Sequence, residues 1–250
     1  MKKIFLFSVC FMAFHLLFAQ EKSSKITYGI KAGFTFPKLY GVDGVITFGG
    51  NEIASIDEQS VTSFYVGGVV NIPVGRSSSG QVFIQPGLSF VGKGGKEVIT
   101  LSNAAIIAAA ASQGLDLGNI TRKVTLSYLE IPVNLMVDFK MGTGKLLLSA
   151  GPYLGFALGG EENTSSSGLL GTLAASSSSY VMGTRDLQFG SGKDYHVVDF
   201  GFNFMAGYQL KNGLSFNLEA SGGAINIDAN SSDKAKIKNG LYSVGLGYSF

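Results

Sequence analysis

The feature that most constrains this chain is a two-residue alternation that returns along its length. From Lys25 to Phe36 the even positions are Ile26, Tyr28, Ile30, Ala32, Phe34 and Phe36, and the odd positions are Lys25, Thr27, Gly29, Lys31, Gly33 and Thr35. Side chains along a strand point to opposite faces in turn, so this segment reads as a strand with one apolar face. The same pattern runs through 64–72, 82–90, 129–139, 146–156, 198–210, 214–220 and 242–250, eight runs in all, and no apolar face carries a charge. The opposite faces hold Lys31, Asn71, Gln85, Lys93, Glu130, Asn134, Asp138, Asp199, Asn203, Gln209, Asn217 and Glu219, with Gly and Ser between them. Composition supports an all-β chain. At 46% apolar and 14% charged it has the opposite balance from a disordered sequence. Its 35 glycines among 250 residues disfavour a helical domain.

Residues 1–20 have the form of a secretory signal peptide. Lys2 and Lys3 make a basic start, Ile4 to Phe18 an apolar stretch, and Ala19 a small residue for cleavage. The one cysteine, Cys10, follows Val9 inside the apolar stretch, where a lipidation site would need a small residue, so the exported chain is expected to carry no thiol. Residues 21–250 then form one domain with as many basic as acidic side chains, which argues against nucleic acid as a partner. No stretch after residue 20 approaches the roughly 20 apolar residues of a spanning helix.

Alternation alone fits a soluble barrel with its apolar face inward or a membrane barrel with its apolar face outward. The connections choose between them. Runs two and three are joined by Arg76–Ser79, four and five by Met141–Gly144, and six and seven by Lys211–Gly213, whereas the intervening connections are long. Short turns at one end and long loops at the other characterise outer-membrane barrels, with the short turns in the periplasm. The expected fold is therefore an eight-stranded antiparallel transmembrane outer-membrane β-barrel with long extracellular loops. Tyr28 begins an ascending strand while Phe139, Tyr208, Tyr248 and Phe250 end descending ones, forming a periplasmic aromatic girdle. Pro86, Pro132 and Pro152 each remove a ladder donor, so a bulge or a local ladder break is expected at each.

Several segments are similar to a known family: Tyr128-Leu129-Glu130-Ile131-Pro132-Val133, Ala150-Gly151-Pro152-Tyr153-Leu154-Gly155, Asp199-Phe200-Gly201 and the terminal Gly245-Leu246-Gly247-Tyr248-Ser249-Phe250. They resemble the PorT-like outer membrane protein beta-barrel family of Gram-negative bacteria, grouped with porin family proteins. The resemblance covers essentially the whole exported chain and implies an eight-stranded barrel in the outer membrane. It also implies that the ending on Phe250 after Tyr248 is read by barrel-assembly machinery.

The lumenal polar network is expected to comprise Lys31, Lys93, Glu130, Asp138, Asp199 and Glu219. Lys31 and Glu219 are placed to pair across the gap left by Ser243, Gly245, Gly247 and Ser249, and Lys93 and Glu130 to pair near the outer ends of adjacent strands. Eight strands enclose a space that side chains just fill, so a polar plug is favoured over an ion or small-solute pore. His196 has Asp194, Asp199 and Ser191 nearby in sequence, which raises an outer-leaflet lipid-modifying enzyme as an alternative. No nucleophile motif accompanies them, and the expectation is no enzyme, no cofactor and no metal. The loops contain two apolar segments that read as helices. Ser102 to Gln113 is capped by Ser102 or Asn103, and Gly168 to Ala175 lies between the serine runs 165–167 and 176–179, which read as linkers. The two helices either pack on one another over the barrel mouth or form a docking surface for an extracellular protein or lipid. Membrane lipid is the other expected partner.

Overall fold

The computed structural model of the protein describes residues 25–41, 44–48, 50–76, 80–175, 182–230 and 236–250. The signal peptide, Ser77–Ser79 and the serine run 176–179 lie outside the described residues. In chain order the elements are β1 (Thr27–Tyr40), β2 (Gly44–Phe48), β3 (Asn51–Gln59), β4 (Ser63–Arg76), β5 (Gly80–Leu101), α1 (Ala104–Ser112), β6 (Ile120–Met141) and β7 (Gly144–Ser166). There follow α2 (Gly168–Ala175), β8 (Gly183–Asp186), β9 (Val198–Gln209), β10 (Leu214–Gly223) and β11 (Lys238–Ser249).

Eight of these strands close on themselves. The order β1–β4–β5–β6–β7–β9–β10–β11 returns to β1 through Ile30↔Tyr248 and its neighbours, and every adjacent pair is antiparallel. Closure removes both edges, which a membrane demands because it offers no hydrogen-bond partner to a free peptide group. The apolar faces point outward. Phe34, Phe204, Leu218 and Tyr242 are each more than 60% exposed, while Asn71, Gln85, Asn134, Asp138, Asn217 and Ser243 are buried inside.

The eight alternating runs correspond to the ring, and three further strands extend it. β5, β6 and β7 run for 22, 22 and 23 residues, about twice the ~9–11 that cross a bilayer. Their outer halves continue as a sheet onto which β3 pairs (Ala54↔Leu101 to Gln59↔Lys96), with β2 beyond it and β8 on the far side against β7. Segments expected to be loop are therefore partly sheet. Ser165 and Ser166 close β7 instead of forming a linker.

The three prolines interrupt the ladder without shifting it. The β5–β6 pairing skips from Pro86↔Val133 to Ser89↔Glu130, and the β6–β7 pairing from Pro132↔Tyr153 to Leu135↔Ala150, each in unchanged register. Register shifts lie elsewhere, at Ile46/Thr47, Pro73/Gly75 and Ser127/Tyr128. α1 is capped as its sequence suggests, Asn103 Oδ1 accepting from the amides of Ala105 and Ile106. The helices do not close the barrel mouth. α2 sets Leu170 against Ala54, Ile99 and Ile120 of the outer sheet, and α1 buries only Ala110. The mouth is covered by 187–197, 224–230 and 236–237, which are stitched together where His196 N donates to Ile227 O and Ile227 N to Ile237 O.

Phe202 stands on the outer face of β9, 48% exposed, next to the inward Asn203. Arg at position 202 is expected to destabilise the barrel in lipid by roughly 2–4 kcal/mol and Arg at position 203 by less. Urea titration of both variants refolded into vesicles checks the order, and the reverse order would turn the barrel inside out.

Candidate functional site in the barrel lumen

Lys93 points into the outer half of the lumen and is fully buried. It rises from β5, and its ammonium meets one carboxylate on each side of the bore: Glu130 Oε1 of β6 at 2.5 Å and Asp199 Oδ2 of β9 at 2.8 Å. Lys93 forms an ion pair with Glu130 and donates a hydrogen bond to Asp199. The rings of Tyr153 and Tyr128 lie 4.1 and 5.2 Å from the ammonium. Tyr153 Oη and Asn239 Nδ2 donate to the same Asp199 oxygen at 3.1 and 2.9 Å. Tyr153 reaches this point because Gly201 leaves the space its ring needs, where a Cβ would collide with it. A charge without such partners would not stay ionised away from water. Two carboxylates face one cation here, and the remaining Asp199 oxygen and Asn239 Oδ1 have no hydrogen-bond partner among the described residues.

Sequence reasoning pairs Lys93 with Glu130 but places them near the outer strand ends. In the structure they lie well inside 22-residue strands, because β5 and β6 run on past the membrane. Above them is an apolar layer of Leu39, Val124, Leu126, Leu187, Tyr195 and Ile227, all buried. Over this layer sits an ion cluster that the sequence reading omits. Arg122 bridges Glu97 (3.1 Å) and Glu162 (2.6 Å), and Arg185 bridges Glu162 (3.2 Å) and Asp194 (3.0 Å). Although partial burial opposes ionisation, the Gln188 amide and the Arg185 guanidinium hold Asp194 below the usual carboxylate range. Burial pushes the Tyr195 phenol up to about 12, so Arg122 faces a neutral hydroxyl.

The remaining polar candidates form separate pairs. Lys31 Nζ lies 3.1 Å from Glu219 Oε1, below the Tyr65 ring, which fills the gap that Gly33 and Gly245 provide. Asp138 sits near the periplasmic end, 2.6 Å from Lys145 Nζ, and accepts from the Gln81 amide. The six expected network residues thus fall into three groups, with Lys93, Glu130 and Asp199 in one. Tyr28, Tyr248 and Phe250 are exposed and Phe139 and Tyr208 half-buried, all at the end bearing the short turns. Phe250 N donates to Tyr28 O, and its ring meets Tyr248 edge-on at 5.1 Å. His196 is exposed, while Asp194 and Asp199 are committed to Arg185 and Lys93.

A closed antiparallel ring with an apolar exterior, a polar interior and an aromatic band defines an outer-membrane β-barrel. The sequence matches the family model "Outer membrane protein beta-barrel domain" over residues 18–228, and the chain belongs to that family. Its location is the outer membrane of a Gram-negative bacterium. Among curated proteins none matches the sequence significantly. Among solved structures, Ail, the attachment invasion locus protein of Yersinia pestis, aligns over 91% of this chain and 100% of its own, at 10% identity and a TM-score of 0.32. Neisserial surface protein A aligns over 91% and 100% at 9% identity and 0.39. OprG from Pseudomonas aeruginosa aligns over 90% and 95% at 14% identity and 0.33. Scores this low carry nothing about what the chain does.

Replacing Lys93 by Met strands two buried carboxylates and is expected to cost about 3–5 kcal/mol. Combining it with Glu130→Gln and Asp199→Asn should recover much of that loss, as read by unfolding in vesicles. Lys31→Ala and Glu219→Ala should depart from additivity by about 0.5–3 kcal/mol in a double-mutant cycle. Additive losses would mean that each side chain is served by other partners.

Proposed function

We propose that the protein is a non-conducting, non-enzymatic outer-membrane barrel that works through its extracellular sheet, as a structural or interaction element. The observation that carries this reading is the sealed midsection, where Lys93 and its carboxylates are capped by the buried layer from Leu39 to Ile227. An ion or solute crossing the bore would have to part a fully buried charge cluster and an apolar layer together. The outer halves of β5, β6 and β7, with β2, β3 and β8, form instead an extracellular sheet, and α1, which follows β5, leaves Ile106 and Ile107 exposed. A protein or lipid outside the cell is the partner that such a surface suits. The motifs at 128–133 and 150–155 support a place in the PorT-like branch. Residues 1–20 act as the cleaved export signal, and the terminal Phe250 serves recognition by the assembly machinery.

The expected result in planar bilayers is no conductance above the lipid baseline for the native barrel. Steady channels that vanish when the lumen is altered would overturn the reading in favour of a pore. Shortening the chain at 102–118 should leave a barrel that still refolds but loses whatever partner the intact protein retains from native membranes.

A further inference from the structure

Below the Lys93 cluster the lumen widens into a cavity of about 290 Å³ that opens at the periplasmic end. Five cations stand around its mouth: Lys25 precedes β1, Arg76 ends β4, Lys140 and Lys145 flank the β6–β7 turn, and Lys211 lies in the β9–β10 turn. Asp138 is the only acidic side chain among the described residues at this end, and it is buried and committed to Lys145 at 2.6 Å. Lys25, Arg76, Lys140 and Lys211 are exposed and have no salt-bridge partner among the described residues. The exported chain as a whole is balanced in charge, so the asymmetry is one of position. Its exposed acids Glu52, Asp57, Asp116, Glu161 and Asp186 all lie at the extracellular end.

Cations at the edge of a membrane protein often reach for lipid phosphates, but here the strand alternation turns them the other way. Lys25 continues the lumen-facing series of Thr27 and Gly29, Lys140 that of Met136 and Asp138, and Lys145 that of Leu147 and Ser149. Arg76 is opposite Gln81, which lines the cavity. The lipid-facing positions at this height are Ile26, Tyr28, Phe139, Leu146, Tyr208 and Tyr248, none of them charged. The cations therefore encircle the bore, where water reaches them along the barrel axis. Lys140, Lys145 and Lys211 share a cleft of about 490 Å³ between two turns, with Thr143 and Gln209 in its wall, and Lys25 and Arg76 stand elsewhere on the ring, on β1 and β4. At least two strand spacings, about 10 Å, separate these two groups, which suits a chain of several anionic groups better than a single one. Lys140 and Lys145 are also directly opposite in the ladder, an arrangement that costs stability and that Asp138 offsets for one of them only.

We infer that the periplasmic mouth is a docking surface for an acidic segment of a periplasmic protein. The segment lies across the bore with carboxylates on Lys25 and Arg76 at one side and on Lys140 and Lys211 at the other. An extended chain rises ~3.3 Å per residue, so about four residues bridge the two groups. Because the Lys93 cluster closes the bore above, this contact stands or falls independently of any partner on the extracellular sheet.

The probe is a fluorescent octaglutamate peptide, and the protein is the full-length barrel in phosphatidylcholine nanodiscs. Anisotropy should show binding at low salt that weakens as salt rises. Lys25→Gln with Arg76→Gln, and Lys140→Gln with Lys211→Gln, should each weaken it severalfold, and all four together about tenfold or more, the scale of four exposed pairs. Changing Lys96, Lys123, Lys193 and Lys236 to Gln removes the same charge from the extracellular end and should leave binding as it was. Heat-modifiable migration reports that each variant is folded. Equal losses in the two fourfold variants would reduce the effect to net charge and overturn the inference, and so would the absence of binding at low salt. A loss confined to one of the paired variants would mean that no segment spans the mouth, with the same consequence. Spin-labelled phosphatidylglycerol should associate equally with the native barrel and the periplasmic fourfold variant. A preference for the native barrel would assign the ring to headgroups of the inner leaflet and exclude the acidic segment.

Discussion

A bilayer interior offers no hydrogen-bond partner to a peptide group, and this single constraint organises the molecule. It requires that strands close into a ring, so β1 must find β11 across more than two hundred residues of chain, and every other pairing follows as neighbour to neighbour. It also explains why the proline breaks at Pro86, Pro132 and Pro152 keep register on both sides. A slip of one residue there would turn a whole strand inside out, exposing Gln85 or Asn134 to lipid. Register shifts are tolerated in β2–β3 and at Ser127/Tyr128, where the sheet continues outside the membrane.

Turning the apolar faces outward leaves the interior to polar side chains, and the bore is then divided by their size. In the outer half, Tyr128, Tyr153, Lys93 and Leu126 fill it completely. The buried charges are tolerable because each has a counter-charge within reach and because aromatic rings flank the ammonium. In the periplasmic half, glycines and serines leave room. Closure and cavity are thus two results of one alternation, read at two heights of the same strands.

Much of this was legible in the residues. The period-two runs specify the ring strands, their charge-free faces specify which side meets lipid, and the short turns at 142–143 and 210–213 specify orientation. Lys31 and Glu219 could be paired because their matching heights on β1 and β10, and the small residues of the intervening β11, needed only ideal geometry. The Arg122, Glu97 and Glu162 cluster could not be read in this way. The irregularity at Ser127/Tyr128 inserts an extra residue near Leu158, so the inward set on β7 passes from the odd positions Tyr153 and Gly155 to the even Glu162 and Thr164. Parity carried forward from the membrane segment would aim Glu162 outward. β3 escaped notice for a different reason: NEIASIDEQ lacks an apolar face because its pairing with β5 lies in water.

What the sequence by itself determined is the class of the fold, its inside-out sense, its orientation and the residues that face the lumen. These depend on local alternation and on connection lengths, both of which are properties of neighbours along the chain. Only the tertiary structure decided that Asp199 joins Lys93 and Glu130, that residues 187–197 and 224–230 cover the mouth in place of the helices, and that a cavity remains below. Those outcomes depend on the stagger and tilt with which strands far apart in sequence meet across the bore, which no periodicity along a single strand encodes.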